Sequence, residues 1–141
     1  MFSNTMTLDI QFGDCDPAGI VYFPNYFRMG DNATAALISA ALGMHKRAWL
    51  AAFDGAGIPM VDTGARFFKP NRFGDVIEIH SEIAELGRSS FAVRHVLARD
   101  GISTVEVNEK RVWTVRDQAG DIVSSPLPDR VRQALAQIKE A

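Results

Sequence analysis

The stretch NYFRMGDNATAALISAALG, residues 25–43, decides the fold of this 141-residue chain. Its apolar side chains recur near helical spacing, which predicts a helix. They are Tyr26, Met29, Ala33, Leu37, Ala40 and Ala41. Pro24 suits the first turn of such a helix and Gly43 suits its end. Beyond Asn32 the segment is apolar nearly all round, and a helix of that kind is enclosed by other elements. We therefore expect a central helix, starting near Asn25, around which the rest of the chain wraps.

The segments on either side of this helix alternate apolar and polar residues, which predicts strands. Before the helix, residues 6–12 (MTLDIQF) are expected to place Leu8, Ile10 and Phe12 on one face of a strand. After it, the predicted elements are a short helix at 45–53, strands at 58–68, 75–86, 89–99 and 102–116, and a terminal helix at 128–140. Pro59 and Gly64 mark the first of these later strands as an edge strand or a bulged one.

Two of the later strands show clear inner faces. The first has Ile77, Ile79 and Ile83 opposite Glu78, His80 and Glu82, and the second has Phe91, Val93, His95 and Leu97 on one side. Asp100-Gly101 then predicts a tight hairpin turn. A doubly wound parallel sheet would need helices between these strands, and the chain has no room for them. The order predicts an α+β fold, an antiparallel sheet packed on one buried helix, in a single domain over residues 1–141.

Composition excludes several classes of function. A net charge of −2 offers no basic surface for nucleic acid or for an anionic membrane. The amino terminus lacks the features of a signal peptide, and no run of about 18 apolar residues predicts a membrane span. A single cysteine cannot form an internal disulfide, which is compatible with a reducing compartment. We expect a cytoplasmic globular protein.

The stretch GDCDPAGIVYFPNYFR, residues 13–28, carries the candidate chemistry, because Asp14 and Asp16 flank the only cysteine just before the helix. A metal site is one interpretation, but the segment does not continue as a calcium loop and the three histidines are scattered. A cysteine nucleophile is a second, but two neighbouring carboxylates disfavour the thiolate at Cys15. The role of a small buried apolar residue suits this cysteine better.

A carboxylate acting alone is the third interpretation. A helix start presents unpaired N–H groups and a partial positive charge, which together can hold an oxyanion. A carboxylate facing that position can attack a carbonyl, or activate water against it. A thioester fits this simple machinery because its thiolate leaves without a strong acid. Taken as an isolated D-x-D pair, Asp14 and Asp16 could equally cap turns.

The same stretch resembles the opening signature of the 4-hydroxybenzoyl-CoA thioesterase family. PNRFGDVIEI, LGRSSF, and VWTV followed by SPLPDRV continue the resemblance in order, from about residue 8 to about residue 132. The resemblance implies a hot-dog fold, in which a long helix is wrapped by an antiparallel sheet of five or six strands. It also implies hydrolysis of an aromatic acyl-CoA, such as a 4-hydroxybenzoyl thioester, to the free acid and CoA.

The resemblance also assigns roles to residues. Asp16 is the expected nucleophile or general base, the backbone N–H of Phe23 is the expected oxyanion donor, and Asp14 is expected to order the loop. Asp31 would accept a hydrogen bond from a phenolic hydroxyl of the acyl group, unless it is an ordinary exposed helix charge. Other expected contacts are Gly19 and Ile58 to the acyl group, and Lys69, Arg72, Arg88, Ser89 and Ser90 to CoA phosphates. His80 and His95 are expected to be packing or surface residues.

Family members assemble as dimers or tetramers with the active site between subunits, so a homo-oligomer is expected, most simply a tetramer built as a dimer of dimers. The expected partner is the acyl-CoA itself, with no metal and no cofactor, since coenzyme A is part of the substrate. Three alternatives stay open. They are a thioesterase for short or medium aliphatic acyl-CoA, a non-catalytic acyl-CoA-binding module, and a hot-dog dehydratase. A dehydratase would need a His paired with a helix Glu, and no Glu lies between Asp16 and Glu78.

Overall fold

The structure, a computed structural model, describes residues 1–138. Within them the chain forms seven strands, three α-helices and one 3-10 helix. In chain order these are β1 (Ser3–Asp9), the 3-10 helix (Phe12–Asp14), α1 (Pro24–Leu42), α2 (Lys46–Ala52), β2 (Met60–Phe67), β3 (Val76–Leu86), β4 (Ser90–Arg99), β5 (Ile102–Val112), β6 (Thr114–Arg116), β7 (Ile122–Ser124) and α3 (Asp129–Ala136). The predicted order of strand, long helix and antiparallel strands is confirmed. None of the described helices is long and apolar enough to span a membrane.

Five of the described strands form one antiparallel sheet in the order β1-β3-β4-β5-β2. Asp100 and Gly101, with φ of 52° and 77°, form the predicted turn between β4 and β5. β2 lies at an edge, and its register slips between Met60 and Asp62, in line with the expected edge position and bulge. α1 packs across the inner face of this sheet. This is the hot-dog arrangement, and the predicted α+β fold is confirmed.

The predicted first strand is wrong at its carboxyl end. β1 ends at Asp9, and Phe12, expected on the inner face, is 80% exposed. The backbone N–H of Gln11 donates to Asp14 Oδ2 at 2.8 Å, and this local bond turns residues 11–14 into a 3-10 helix. A side chain in that turn no longer follows the alternation of the strand, so Phe12 points to the surface.

The predicted long last strand is divided in two. β5 ends at Val112, which pairs with the first residue of β4, Ser90, so the chain has no further partner on β4. The backbone N–H of Trp113 instead donates to the carbonyl of Ser89 at 2.8 Å, and β6 then pairs with β7. The predicted terminal helix is also shorter, because α3 ends at Ala136. Residues 139–140 of that prediction lie outside the described part of the chain.

The core has two apolar clusters along α1. The predicted inner faces of β3 and β4 are confirmed, and they contribute to both clusters. Around the carboxyl half of α1 the members include Leu37, Ile38, Trp49, Ile83, Phe91, Val93, Trp113 and Leu135. Around its amino half they are Ile10, Val21, Tyr26, Met29, Ala33, Ile77, Ile79, Leu97, Val105 and Val107. The second cluster supports the residues that lead into α1, where the candidate chemistry lies.

Gly30 allows α1 to approach β5 closely. A Cβ at this position would lie 3.2 Å from Oε2 of Glu109 and 3.4 Å from Cδ2 of His95. Both of those side chains are buried and hydrogen-bonded, so neither moves aside easily. A glycine inside a helix costs about 1 kcal/mol relative to alanine. The close contact with the sheet is the physical reason for a glycine here.

We therefore expect Gly30→Val to lower the free energy of unfolding by about 1–3 kcal/mol, as overpacking in a tight site does. Urea unfolding followed by circular dichroism measures the change. Gly13→Val is the matched control, because no atom lies within 4 Å of a Cβ added there. Equal stability of the two variants would contradict the close-approach argument.

Candidate active site

The loop from Asp14 to Tyr22 is held by its own backbone. Tyr22 N donates to the carbonyl of Asp14 at 2.8 Å, and Asp16 N donates to that of Ile20 at 2.9 Å. Gly19 N closes a tight turn onto the carbonyl of Asp16 at 2.9 Å, and its φ of +82° is one that glycine adopts without strain. The loop therefore enters α1 in a defined conformation.

Asp14 is a structural residue of this loop. Its Oδ2 accepts the N–H of Gln11 at 2.8 Å, and its Oδ1 pairs with Arg28 at 2.6 Å. Its carbonyl also accepts from the Asn25 side chain at 2.8 Å, which ties the loop to the first turn of α1. With both carboxylate oxygens occupied, Asp14 orders the loop, as expected.

Asp16 differs from Asp14 in having one unoccupied oxygen. Its Oδ1 accepts the N–H of Ala18 at 2.8 Å, while Oδ2 has no hydrogen-bond partner among residues 1–138. The residue is half-buried. It lines an open cleft of about 430 Å³ together with Phe12, Cys15, Pro17, Gly19 and Phe73. The carboxylate is thus oriented by its neighbour and still available to a ligand.

The start of α1 offers one unused donor. Asn25 N donates to the carbonyl of Tyr22 and Tyr26 N to that of Phe23, while Pro24 has no N–H. The N–H of Phe23 has no acceptor within the described chain. Phe23 lines a second, mostly apolar cleft of about 350 Å³, with Ile20, Val21, Tyr26, Phe67, Phe68, Lys69 and Pro70. A single chain therefore presents the Asp16 carboxylate and the Phe23 residue in neighbouring clefts, not around one cavity.

Asn71 supports the loop before α1 through buried hydrogen bonds, and it was not predicted from the sequence. The residue is fully buried, and its side-chain amide donates to the Tyr26 hydroxyl at 3.1 Å and to Thr104 Oγ1 at 2.9 Å. Its side-chain oxygen accepts from Arg99 at 2.7 Å, and its carbonyl accepts from Val21 N at 2.9 Å. Asn71 thus joins the loop, α1 and β5. Its position directly after Pro70 gave no periodic signal of burial.

The remaining candidates near the loop show no further chemistry. Cys15 is half-buried, and its Sγ donates to the carbonyl of Gln11 at 3.7 Å. Among residues 1–138 no three His, Cys, Asp or Glu side chains come together as a possible metal site. Ile58, expected at the acyl group, is buried in the core beside Trp113.

A buried network of charged and polar groups lies further along α1. The guanidinium of Arg111 binds both oxygens of Glu109, at 2.9 and 3.1 Å, and donates to Asp31 Oδ1 at 2.7 Å. Glu109 also accepts from Thr34, and it lies 3.3 Å from Nε2 of His95. The other ring nitrogen of His95, Nδ1, is hydrogen-bonded to Ser81 Oγ at 2.6 Å. Asp31 is therefore more than an isolated exposed helix charge.

The electrostatics of this network favour an ionised Glu109. Burial alone raises the pKa of its carboxyl, but hydrogen bonds from His95 and Arg111 outweigh burial and hold that pKa at about 2. Strand alternation offered a signal for this site, since Glu109 and Arg111 fall on the same face of β5 as Val105 and Val107. Two opposite charges on an otherwise apolar face predict a buried pair.

The expected phosphate-binding residues fall into two groups. Lys69 lines the Phe23 cleft, and Arg72 lies at the turn before β3, where its N–H donates to Asp75 at 2.7 Å. Arg88 and Ser89 lie at the opposite end of β3, in the turn to β4, and Ser90 is the first residue of β4. An 11-residue strand separates the groups by about 30 Å. One chain does not bring them to the same pocket.

Comparison with known proteins agrees with the fold. Residues 10–135 match the model of the thioesterase-like superfamily. The chain is 36% identical over 120 residues to the 4-hydroxybenzoyl-CoA thioesterase of Pseudomonas sp. (strain CBS-3), covering 82% of this chain and 85% of that protein. It is 30% identical over 128 residues to the 1,4-dihydroxy-2-naphthoyl-CoA hydrolase of Synechococcus elongatus, covering 89% and 90%.

A crystal structure agrees as well. It shows a 4-hydroxybenzoyl CoA thioesterase, with one Asp changed to Asn, in complex with 4-hydroxybenzoyl CoA. It superposes with a TM-score of 0.85 at 31% identity, over 95% of this chain and 99% of that one. The fold and these similarities define a hot-dog thioester hydrolase, so the predicted enzyme class is confirmed. The chain belongs to the thioesterase-like superfamily.

The buried carboxylate makes stability sensitive to acid. The folded pKa of Glu109, about 2, lies below its ordinary value of 4.5, so its stabilising contribution is complete above pH 4.5 and is lost as the pH falls toward 2. We expect a loss of about 3 kcal/mol of unfolding free energy over that window from this group. Urea unfolding at a series of pH values measures the slope.

Two variants assign the acid sensitivity to this residue. Glu109→Gln should flatten the slope between pH 4.5 and 2, whereas Glu78→Gln, on the exposed face of β3, should leave the slope unchanged. A slope that persists in Glu109→Gln would show that another group is responsible.

Proposed function

We propose that this protein hydrolyses an aromatic acyl-CoA to the free acid and CoA, using Asp16 as nucleophile or general base and the Phe23 N–H as oxyanion donor. The observation that carries the proposal is the unpartnered Oδ2 of Asp16, on a half-buried carboxylate whose other oxygen is fixed by Ala18. An oriented carboxylate with one available oxygen suits attack on a carbonyl carbon. The unused N–H at the start of α1 supports the second role.

The chemistry balances by either of two routes. As nucleophile, Asp16 Oδ2 bonds to the thioester carbon, the C–S bond breaks, and the CoA thiolate leaves an acyl-enzyme anhydride that water then hydrolyses. As general base, Asp16 takes a proton from water while the water oxygen attacks the same carbon; the C–S bond then breaks, the CoA thiolate leaves, and Asp16 gives its proton up to the thiolate or to solvent. Each route consumes one water and yields the acid and CoA. Both use only protein groups and water, so we propose no metal and no separate cofactor.

The proposed acyl group is a hydroxylated aromatic acid. Relatives of this chain are named for 4-hydroxybenzoyl-CoA and for 1,4-dihydroxy-2-naphthoyl-CoA, both hydroxylated rings. Asp31 has a half-exposed carboxylate whose Oδ2 lacks a partner among the described residues, and that oxygen can accept from a hydroxyl. Gly19 lines the Asp16 cleft, where its missing side chain leaves room for the acyl group.

We further propose that the active site is completed by a second copy of the chain, within a tetramer in the cytoplasm. Among residues 1–138 no strand pairs with the outer edge of the eight-residue β2, and apolar side chains around it are exposed. These are Tyr22 (51%), Phe23 (56%), Val61 (57%), Phe67 (52%) and Phe68 (53%). A long exposed edge strand is suited to pairing. With a partner chain present, Arg88, Ser89 and Ser90 of one copy could bind the same CoA as Lys69 and Arg72 of the other copy.

The first test is the hydrolysis of a panel of thioesters, with CoA release followed by a thiol reagent. The panel holds 4-hydroxybenzoyl-CoA, benzoyl-CoA, phenylacetyl-CoA and aliphatic acyl-CoAs. We expect the hydroxylated aromatic thioester to give the highest kcat/KM. We expect Asp16→Asn to lower it by about a thousandfold or more, as loss of a nucleophile or essential base does.

Asp9→Asn is the matched control. Asp9 is exposed at the end of β1, so this variant should be as active as the unmodified protein. An Asp16→Asn variant as active as the control would refute the carboxylate mechanism. Fastest turnover of an aliphatic thioester would replace the aromatic substrate with the alternative class. Binding of acyl-CoA without turnover would make the protein a binding module.

The oligomer has its own test. Phe67→Glu places a charge beside the free edge of β2, where burial against a second copy would be unfavourable. We expect sedimentation velocity to show smaller species, with activity reduced in parallel. Ile122→Glu, at a similarly exposed position on β7, is the control and should sediment like the unmodified protein. Dissociation without loss of activity would contradict a site completed by a partner.

A further inference from the structure

We infer that Arg111 is the positioning residue for recognition of the acyl group, because it holds the Asp31 carboxylate in place for a substrate hydroxyl. The inference rests on the proposed function and adds a residue that does not itself touch the substrate. Arg111 is 4% exposed and Asp31 is 55% exposed, so the pair spans from the core to the surface. The guanidinium of Arg111 is fixed in the core, and the carboxylate of Asp31 is accessible to solvent.

The guanidinium of Arg111 is fixed in position. Its Nε and one terminal nitrogen bind the two oxygens of Glu109, and its other terminal nitrogen donates to the carbonyl of Ile58 at 3.0 Å. Such a planar fork holds its partners in one orientation. Glu109 is in turn fixed by Thr34 and His95, and none of these side chains reaches solvent. Arg111 therefore cannot follow Asp31 if Asp31 moves away.

The Asp31 carboxylate is left with one engaged and one available oxygen. Oδ1 accepts from Arg111 at 2.7 Å, and Oδ2 has no partner within residues 1–138. An exposed aspartate on a helix normally samples several rotamers, which costs binding free energy when a ligand orders it. The bond to Arg111 orders this side chain before the substrate arrives.

Charge balance preserves Asp31 as an acceptor. Glu109 and Asp31 are two carboxylates bound to the single guanidinium of Arg111, so the cation cannot compensate both of them in full. Because Glu109 binds the guanidinium through both oxygens, the positive charge is largely compensated inside the core. The negative charge that remains lies on the half-exposed Asp31, where a hydroxyl can donate to it.

Arg111 also connects two residues that sequence resemblance assigned to the acyl group. It donates to the side chain of Asp31 on α1 and to the carbonyl of Ile58, just before β2. These residues lie on separate elements, and the same guanidinium donates to both. Arg111 therefore links Asp31 to the backbone just before β2, where the Ile58 side chain packs in the core.

The test is a double-mutant cycle read as substrate discrimination, the ratio of kcat/KM for 4-hydroxybenzoyl-CoA to that for benzoyl-CoA. We expect Asp31→Asn to lower this ratio about tenfold or more, the scale of a lost hydrogen bond to a charged group. Arg111→Gln should lower the ratio by a similar factor. The double variant should lower it no further, because both changes remove the same interaction.

Two further variants separate positioning from folding. Arg111→Lys keeps the buried positive charge but not the planar fork, so it should fold and still lose discrimination. Arg94→Gln removes an exposed arginine of β4 that pairs with Glu106 and Glu82. This variant should keep both the fold and the discrimination ratio. Circular dichroism and thermal unfolding establish which variants are folded.

The outcomes distinguish this inference from the proposed function. An unmodified chain that hydrolyses neither aromatic thioester refutes the proposed function. An active chain whose folded Arg111 variants keep the full ratio overturns the inference alone. Additive losses in the double variant would also overturn it, since Arg111 would then act independently of Asp31.

Discussion

The carboxylate of Glu109 has no exposed surface, and the packing of α1 on the sheet depends on how its charge is compensated. An unpaired charge at this depth would cost several kcal/mol, so it requires a cation and further donors. Arg111, His95 and Thr34 supply them from the sheet and from α1. Because Gly30 has no side chain, α1 can lie directly over this group. One ionic centre therefore links the central helix to two adjacent strands.

The loop before α1 follows a different principle, since its order is almost entirely local. Asp14 uses both carboxylate oxygens to tie the loop to its neighbours, whereas Asp16 uses one and leaves the other available. Two aspartates two residues apart thus have distinct environments. Asn71 adds the long-range support, with hydrogen bonds to the loop, to Tyr26 on α1 and to β5. The proposed catalytic carboxylate of Asp16 is therefore oriented by one hydrogen bond and keeps its other oxygen available.

The geometry of one chain also accounts for the proposed assembly. The Asp16 carboxylate and Phe23 line neighbouring clefts, and the two groups of candidate phosphate ligands lie at opposite ends of β3. An edge strand with exposed aromatic residues beside it is where a second copy would add the missing surfaces. In the proposed assembly, a second copy at this edge would complete the active site.

The sequence by itself determined the features that depend on local periodicity and turn chemistry. The helix from Pro24, the inner faces of β3 and β4, the Asp100-Gly101 turn and the D-x-D loop are all properties of neighbouring residues. Only the tertiary structure decided the features that depend on partners distant in the chain. Trp113 leaves the sheet because β4 has no residue left to pair, and His95, expected to be a packing or surface residue, joins a buried ionic network. Asp31 and Arg111 are 80 residues apart in the sequence. Strand pairing and the packing of α1 on the sheet bring them together, and no local sequence pattern predicts that contact.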